Sequence, residues 1–207
     1  MNHTSLPQPV TATTSPSGPV QAGSAGDLPY YISQCEFGLG VFAARDIVFG
    51  EVILEFTGPV IDFAETKRRG PKECMAIQIG PDRYLDTRPP GVLVNHSCNP
   101  NAGIRQDRCL VALRTIRAGQ EIRYDYSTTM EEHSFTMECR CGSPVCRKVV
   151  RDFSTLPWLT QAHYISQGVV MSFILEKMRA GHARRNRRPV AKTLRIGSNG
   201  LQTAWSV

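Results

Sequence analysis

A polar segment near the middle of the chain, NHSCNPN at residues 95–101, limits most strongly what this sequence can fold into. The apolar run Gly91–Val94 leads directly into it, so the chain enters a core and then presents amide, imidazole and thiol groups. The segment is too polar to be a core strand. Its composition is typical of a segment that contacts a bound group.

Four of the seven cysteines have the arrangement of a metal site. Cys98 lies in the polar segment, and Cys139, Cys141 and Cys146 follow in the string ECRCGSPVC, a C-x-C-x4-C pattern. Four thiolates complete a tetrahedral zinc site and leave no position for water, which predicts a structural site. Cys139 and Cys141 are too close in the chain for an easy disulfide with each other. Two disulfides within the set remain an alternative.

The cysteine count also bears on the compartment. An odd number of cysteines in a chain of 207 residues does not fit a small disulfide scaffold, so metal binding and free thiols in a reducing compartment are favoured. Zn²⁺ with four thiolates carries a charge of −2. Arg140, Arg147 and Lys148 lie beside the cysteines, and we expect them to offset that charge.

Four strings in order resemble one family. NHSCNPN, GQEIRYDY (residues 119–126) and CRCGSPVC (residues 139–146) are similar to the C-terminal motifs of the SET-domain protein-lysine methyltransferases with a post-SET zinc segment. GLGVFAARDIVFGEVILEFTGPVI, which begins at Gly38, resembles the glycine loop and first strands of that family. The resemblance covers roughly residues 35 to 148 and suggests a small stand-alone SET protein.

The resemblance implies a fold and a reaction. The fold is mainly β, built of short sheets with a pseudoknot-like threaded segment, a zinc-bound post-SET flap and a short C-terminal helical cap. The reaction is transfer of a methyl group from S-adenosylmethionine to a protein lysine, with histones as candidate substrates. Structural zinc is the second group implied, with Cys98, Cys139, Cys141 and Cys146 as its ligands.

The resemblance also assigns roles to single residues. Tyr126 matches the catalytic tyrosine, and Tyr124 matches the position that sets how many methyl groups are added, where a hydroxyl implies a bias towards monomethylation. The resemblance also implies that S-adenosylmethionine is bound by Gly38, Leu39, Gly40, Asn95 and the backbone of His96. Tyr126 is a further cofactor-binding residue.

Composition, periodicity and the family resemblance together divide the chain into five parts. Alternating β-branched and aromatic residues predict strands at Val52–Phe56, Met75–Ile79 and Glu121–Tyr126, among others. Pro157 and Gly168 bracket a helical pattern, and a second short helix is predicted after it. The parts are a disordered segment 1–28, a SET domain 29–130, a post-SET segment 131–150, a helical extension 151–180 and a basic, disordered tail 181–207.

The formal net charge of +6 is concentrated near the C-terminus. Residues 177–195 contain eight lysines and arginines and no acid, which leaves −2 for the rest of the chain. A mildly acidic domain suits a lysine-bearing peptide. Nucleic-acid contact by the tail is an alternative to a solvated end.

No run approaches the roughly 20 apolar residues of a membrane span, and no secretory signal is visible. We therefore expect an intracellular monomer, cytoplasmic or nuclear and chromatin-associated.

Two other functions stay open. Leu39 stands where the family usually has tryptophan, Val92 where it usually has arginine, and no tyrosine occurs near Met75. A catalytically degenerate SET fold that binds a peptide or chromatin would tolerate these departures. A zinc-dependent DNA-binding protein with an arginine-rich tail is the third reading, and it predicts steeply salt-dependent binding.

Overall fold

Short strands joined by tight turns make up most of the molecule in this computed structural model, which describes residues 28–70 and 75–186. The described residues contain twelve strands and three α-helices. The strands are β1 (Tyr30–Cys35), β2 (Gly38–Ala43), β3 (Val52–Glu55), β4 (Val60–Ile61), β5 (Ala76–Gly80), β6 (Arg83–Asp86), β7 (Asn95–His96), β8 (Ala102–Arg105), β9 (Cys109–Ala112), β10 (Arg123–Tyr124), β11 (Met137–Glu138) and β12 (Val149–Val150).

The strands form five small sheets. β1 pairs with β2, β11 pairs with β12, and two three-stranded sheets have the orders β3-β9-β8 and β4-β6-β5. All of these pairings are antiparallel. The fifth sheet joins β7 and β10 in parallel. The expectation of a mainly β fold of small sheets is confirmed.

The parallel pair is the structural centre of the chain. Asn95 aligns with Arg123 and His96 with Tyr124, and the Ser97 amide donates to the Tyr124 carbonyl at 3.0 Å. The polar segment thus lies directly beside the second half of GQEIRYDY.

β10 is shorter than the predicted strand Glu121–Tyr126. It ends at Tyr124 because the Asp125 side chain accepts from the Ser127 amide and caps a 3-10 turn, Tyr126–Thr129.

One apolar core underlies these sheets. It is filled by large aliphatic and aromatic side chains from the strands and from the C-terminal part of the chain, including Phe56, Leu85, Leu110, Ile122, Phe153 and Ile174. A second, smaller cluster surrounds Cys98, Cys139 and Cys141 together with Met130 and Val150. The second cluster therefore lies where the polar segment meets the post-SET segment.

The helices are α1 (Phe63–Arg68), α2 (Trp158–Gln167) and α3 (Ser172–Asn186). α2 begins after Pro157 and ends at Gly168 in the left-handed conformation (φ 68°), which confirms both predicted boundaries. Residues at the start of α3 are buried in the main core, so the helical extension packs on the domain as predicted. Among the described residues no helix has the length and apolar character needed to cross a membrane.

Two predicted segments fall largely outside the described residues. The N-terminal segment 1–28 is described only at Leu28. The predicted tail 181–207 is described only at residues 181–186, where α3 continues six residues past the expected end of the helical extension. The predicted strand Met75–Ile79 is displaced by one residue, to Ala76–Gly80.

Candidate active site and metal site

The glycine loop and the polar segment meet at the side chain of Asn95. The Asn95 amide nitrogen donates to the Leu39 carbonyl at 3.2 Å and to Glu121 Oε1 at 2.8 Å. A Cβ on Gly40 would lie 2.8 Å from Glu121 Oε1 and 3.2 Å from Asn95 Nδ2. A side chain at position 40 would therefore have to displace the ends of these two side chains, and glycine leaves them room beside the loop backbone. The predicted residues Gly38, Leu39, Gly40 and Asn95 therefore lie together.

The ring of His96 is buried and points away from that loop. Its Nδ1 accepts from the Tyr126 amide at 3.2 Å, and its Nε2 lies 3.3 Å from Cys98 Sγ. Burial lowers the pKa of His96 to about 4, so the ring is neutral at neutral pH. A neutral ring that accepts at Nδ1 carries its proton on Nε2, and His96 therefore donates to the Cys98 sulfur.

Tyr126 and Tyr124 form the inner wall of a pocket. The Tyr126 hydroxyl donates to the Val94 carbonyl at 2.9 Å, and the two rings lie 4.8 Å apart at 45°. Burial raises the pKa of Tyr124 well above its ordinary value, and its hydroxyl is hydrogen-bonded to the Thr129 side chain. We call this cavity the tyrosine pocket; its lining also includes Tyr84, Met75, Val92, Glu132 and Phe135.

Tyr84 is a pocket residue that the sequence reasoning missed. The family resemblance implies a tyrosine near Met75, in the first strand of the hairpin. Tyr84 comes from the second strand, opposite Gln78. Its ring is 4% exposed and its hydroxyl donates to Glu132. The sequence predicts Arg83–Asp86 as the partner strand, but not which of its side chains face the pocket.

Asp125 connects this pocket to the C-terminal part of the chain. Its carboxylate is fully buried and accepts a bidentate pair of hydrogen bonds from Arg147 at 2.7 and 2.8 Å. The Tyr164 hydroxyl of α2 donates to the same carboxylate at 2.9 Å. Burial raises the pKa of Tyr164, so its phenol keeps the proton that it donates. Sequence reasoning found neither partner of Asp125.

The four predicted metal ligands are also brought together. Cys139 Sγ lies 3.7 Å from Cys98 Sγ and 3.6 Å from Cys146 Sγ. The Cys98 amide points at Cys141 Sγ, with 3.5 Å between nitrogen and sulfur. All six described cysteines, which include these four, are free thiols. Sulfur atoms 3.6 Å apart are well beyond the 2.05 Å of a disulfide bond, so the disulfide alternative is not favoured.

The chemistry of this cluster fits a divalent cation. Burial raises the pKa of both Cys98 and Cys139, since a thiolate without a cation is costly in an apolar cluster. Backbone amides donate to the sulfurs, from Arg147 to Cys98 at 3.4 Å and from Lys148 to Cys146 at 3.4 Å. Such donors stabilise thiolates that ligate a metal. The residues present fit zinc.

His96 competes with Cys146 for the fourth ligand position. The ligand atoms of His96, Cys98, Cys139 and Cys141 all lie within 4.8 Å of one another. The hydrogen bond that His96 accepts at Nδ1 leaves the proton on Nε2, the nitrogen nearest the sulfurs. Because a protonated nitrogen cannot ligate a metal, we propose that His96 donates a hydrogen bond to Cys98 and that Cys146 is the fourth ligand.

The expected charge compensation is borne out in part by Arg147, whose positive charge lowers the pKa of Cys98 against the larger opposing effect of burial. Arg140 pairs with Glu138 at the surface, and the Arg147 guanidinium pairs with Asp125. Arg147 and Lys148 act on the sulfurs through their backbone amides. A different side chain, Arg123, donates to the Cys141 carbonyl at 3.2 Å.

The sequence of this region is similar to that of a known protein family. Residues 38–127 match the model of the SET domain family. The chain contains a SET domain. This confirms the family resemblance that the four sequence motifs predicted.

Three similar proteins indicate the range of relatives. Histone-lysine N-methyltransferase trr of Drosophila melanogaster is 37% identical over 130 residues, which are 54% of this chain and 5% of that protein. The H3 lysine-36 specific histone-lysine N-methyltransferase of Candida albicans is 33% identical over 128 residues, 54% of this chain and 15% of that protein. Histone-lysine N-methyltransferase ASHH3 of Arabidopsis thaliana is 30% identical over 128 residues, which are 54% of this chain and 35% of that protein. The chain thus shares one domain with much longer proteins.

The assignment of the fourth ligand is tested by replacing each candidate. Cys146→Ser is expected to lower the zinc content of reduced, purified protein from one per chain to well below one, because serine is a poor zinc ligand. His96→Gln is expected to keep the zinc, since it removes a donor and not a ligand. Mass spectrometry under native conditions measures both. Loss of zinc from His96→Gln together with retention by Cys146→Ser would contradict the assignment.

Proposed function

We propose that this chain transfers a methyl group from S-adenosylmethionine to the side-chain nitrogen of a protein lysine. The observation that carries the proposal is the position of Tyr126. Its hydroxyl donates to the carbonyl of Val94, the residue before Asn95, and the Asn95 side chain in turn contacts the glycine loop. The predicted cofactor residues and the predicted catalytic residue thus adjoin in one region. The family match and the relatives named as histone-lysine methyltransferases support the same reaction.

The chemistry requires a neutral amine. The ordinary pKa of lysine is about 10.4, so removing its proton at pH 7 costs roughly 4.6 kcal/mol. When bound, S-adenosylmethionine supplies an electrophilic methyl group on a positive sulfur. An apolar pocket disfavours the ammonium form by desolvation. The rings of Tyr84, Tyr124 and Tyr126 provide such walls without a competing nucleophile.

The hydroxyl of Tyr126 orients the amine in this proposal. Its proton is directed at the Val94 carbonyl, so towards a substrate N–H the phenol oxygen acts as an acceptor. Once its proton has passed to solvent, the neutral amine would present its nitrogen lone pair to the methyl group that the bound donor would supply, with one of its N–H groups held by the Tyr126 oxygen. Positioning of this kind is the main contribution that the chain makes to the rate.

Asn95 and the loop Gly38–Gly40 hold the methyl donor, together with the backbone of His96 and with Tyr126. Four cysteines, Cys98, Cys139, Cys141 and Cys146, hold zinc in a structural role. The metal fixes the post-SET segment beside the tyrosine pocket, to which this segment contributes Glu132, Phe135 and Met137. Solvent is thereby excluded from the amine.

Histones are the substrates named for the relatives, and we extend them to this chain only as part of the proposal. A nuclear, chromatin-associated monomer fits that substrate. The second candidate is a peptide- or chromatin-binding SET fold without turnover. Leu39 favours this candidate, because it stands where the family usually has tryptophan and its side chain is 42% exposed. Met75 favours it too, since it lines the pocket in place of a tyrosine and is 46% exposed.

Tyr126→Phe tests the reaction. The variant keeps the ring and loses the acceptor, so we expect methyl transfer from labelled cofactor to lysine peptides to fall by about a hundredfold. Tyr31→Phe, at a half-exposed tyrosine stacked on Phe42, is the matched control and should keep wild-type activity.

A wild-type protein that binds S-adenosylmethionine and transfers nothing to any lysine peptide would support the binding module. Equal activity in wild type and Tyr126→Phe would remove the role given to Tyr126.

The number of methyl groups tests Tyr124. Its hydroxyl is held by Thr129 in a buried position, and we propose that it occupies space that a methylated amine needs. Mass spectrometry of product peptides should show monomethyl lysine from wild type and a rise in dimethyl and trimethyl lysine from Tyr124→Phe. Efficient trimethylation by wild type, unchanged in Tyr124→Phe, would contradict this.

A further inference from the structure

A second cavity lies beside the tyrosine pocket. It is a groove between the β5–β6 hairpin, α1 and α3, and we call it the α3 groove. Phe63 and Phe173 contribute apolar surface, while Asp82, Glu132 and Glu176 contribute carboxylates.

The α3 groove borders the tyrosine pocket. Gln78, Tyr84 and Glu132 line both cavities. A peptide whose lysine entered the tyrosine pocket would leave its flanking residues next to this shared wall. The groove is therefore placed to contact residues near the modified lysine.

One positively charged side chain of the protein, that of Lys177, already lies in the groove. Lys177 Nζ lies 3.3 Å from Glu131 Oε1 and 3.4 Å from the Glu131 carbonyl. Glu131 is buried and its charge is matched by this contact. The arrangement shows that the groove provides carboxylate and carbonyl acceptors for a positively charged side chain.

The other three carboxylates of the groove, on Asp82, Glu132 and Glu176, are not paired with a cationic side chain among the described residues. Asp82 accepts from the Phe63 amide at 2.9 Å, and Glu132 accepts from the hydroxyls of Tyr84 and Ser134. Within residues 28–70 and 75–186, no lysine, arginine or histidine forms an ion pair with Asp82, Glu132 or Glu176. Unpaired like charges around one apolar floor favour a cationic ligand.

We propose that the α3 groove is a subsite for an arginine or lysine side chain that flanks the target lysine in the same peptide. The proposal rests on the proposed function, because it takes the tyrosine pocket as the site of the target lysine. Its apolar floor accommodates the methylene stem of such a side chain, and its carboxylates pair with the charged head. Phe173 and Glu176 lie beyond the matched residues 38–127, so membership of the family does not imply this subsite.

The experiment compares peptides that differ in one residue. An otherwise uncharged nonapeptide with a central lysine is the reference, and each test peptide carries one arginine at a different position. Fluorescence anisotropy gives Kd, and transfer from labelled S-adenosylmethionine gives kcat/KM. We expect arginine at one or two adjacent positions to improve both by several-fold at low salt, and less at high salt.

Variants locate the effect in the α3 groove. Glu176→Gln and Glu132→Gln should each reduce the arginine-to-reference ratio by about threefold, as expected for loss of an exposed ion pair. In Glu132→Gln the amide oxygen still accepts from Tyr84. Glu55→Gln removes the same charge on β3, outside both cavities, and should leave the ratio unchanged.

The outcomes separate the two proposals. Equal Kd and kcat/KM for every peptide with wild type would overturn the subsite while the methyltransferase proposal stood. A ratio that falls equally in Glu55→Gln would overturn it as well, since the effect would then be one of net charge. Absence of transfer to any peptide would count against the methyltransferase, and the anisotropy ratios would still decide whether the groove binds arginine.

Discussion

The buried ion pair of Asp125 and Arg147 is the interaction on which the rest of the site depends. Asp125 stands between β10 and the 3-10 turn that begins at Tyr126, and its side chain caps that turn. Arg147 follows the last predicted zinc ligand. One bidentate contact therefore ties the post-SET segment to the tyrosine that lines the pocket. A buried carboxylate without this partner would carry a large desolvation cost.

Two further contacts extend the connection. Tyr164 brings α2 to the same carboxylate, so the helical extension belongs to the site and does not merely cover it. His96 receives the Tyr126 amide on one ring nitrogen and faces the Cys98 sulfur with the other. The polar segment, the cysteine cluster and the tyrosine pocket are consequently adjoining parts of one hydrogen-bonded unit. Most of its polar groups are buried or half-buried and hydrogen-bonded, a condition under which such networks rigidify a site.

The sequence predicted the parts that local chemistry determines. The spacing of Cys139, Cys141 and Cys146 is a local pattern. Because a tetrahedral zinc site needs four ligands, the pattern also pointed to Cys98. Pro157 and Gly168 fix the ends of α2 by their backbone preferences. The motifs in GQEIRYDY and NHSCNPN located the right strands, because the two segments pair with each other.

What the sequence did not predict depends mainly on contacts between distant residues. Tyr164 and Asp125 are 39 positions apart, and nothing in the helical pattern of α2 marks the tyrosine as a hydrogen-bond donor. Tyr84 was missed because strand register decides which side chains face the pocket. The strand predicted up to Tyr126 ends early, since a capping carboxylate at Asp125 competes with strand pairing. The positions of Tyr164 and Tyr84 follow from tertiary packing and have no local sequence signal, whereas the Asp125 cap is a local contact that the strand prediction did not include.

The free energy of unfolding of Arg147→Met tests the central role of the ion pair most directly. The variant keeps the backbone amide that contacts Cys98 and removes only the guanidinium, so it leaves Asp125 buried and unpaired. Denaturant unfolding of reduced, zinc-saturated protein should show a loss of about 3–5 kcal/mol. Arg140→Met, which breaks an exposed pair with Glu138, should change the value by less than about 1 kcal/mol. Equal effects of the two substitutions would contradict the account.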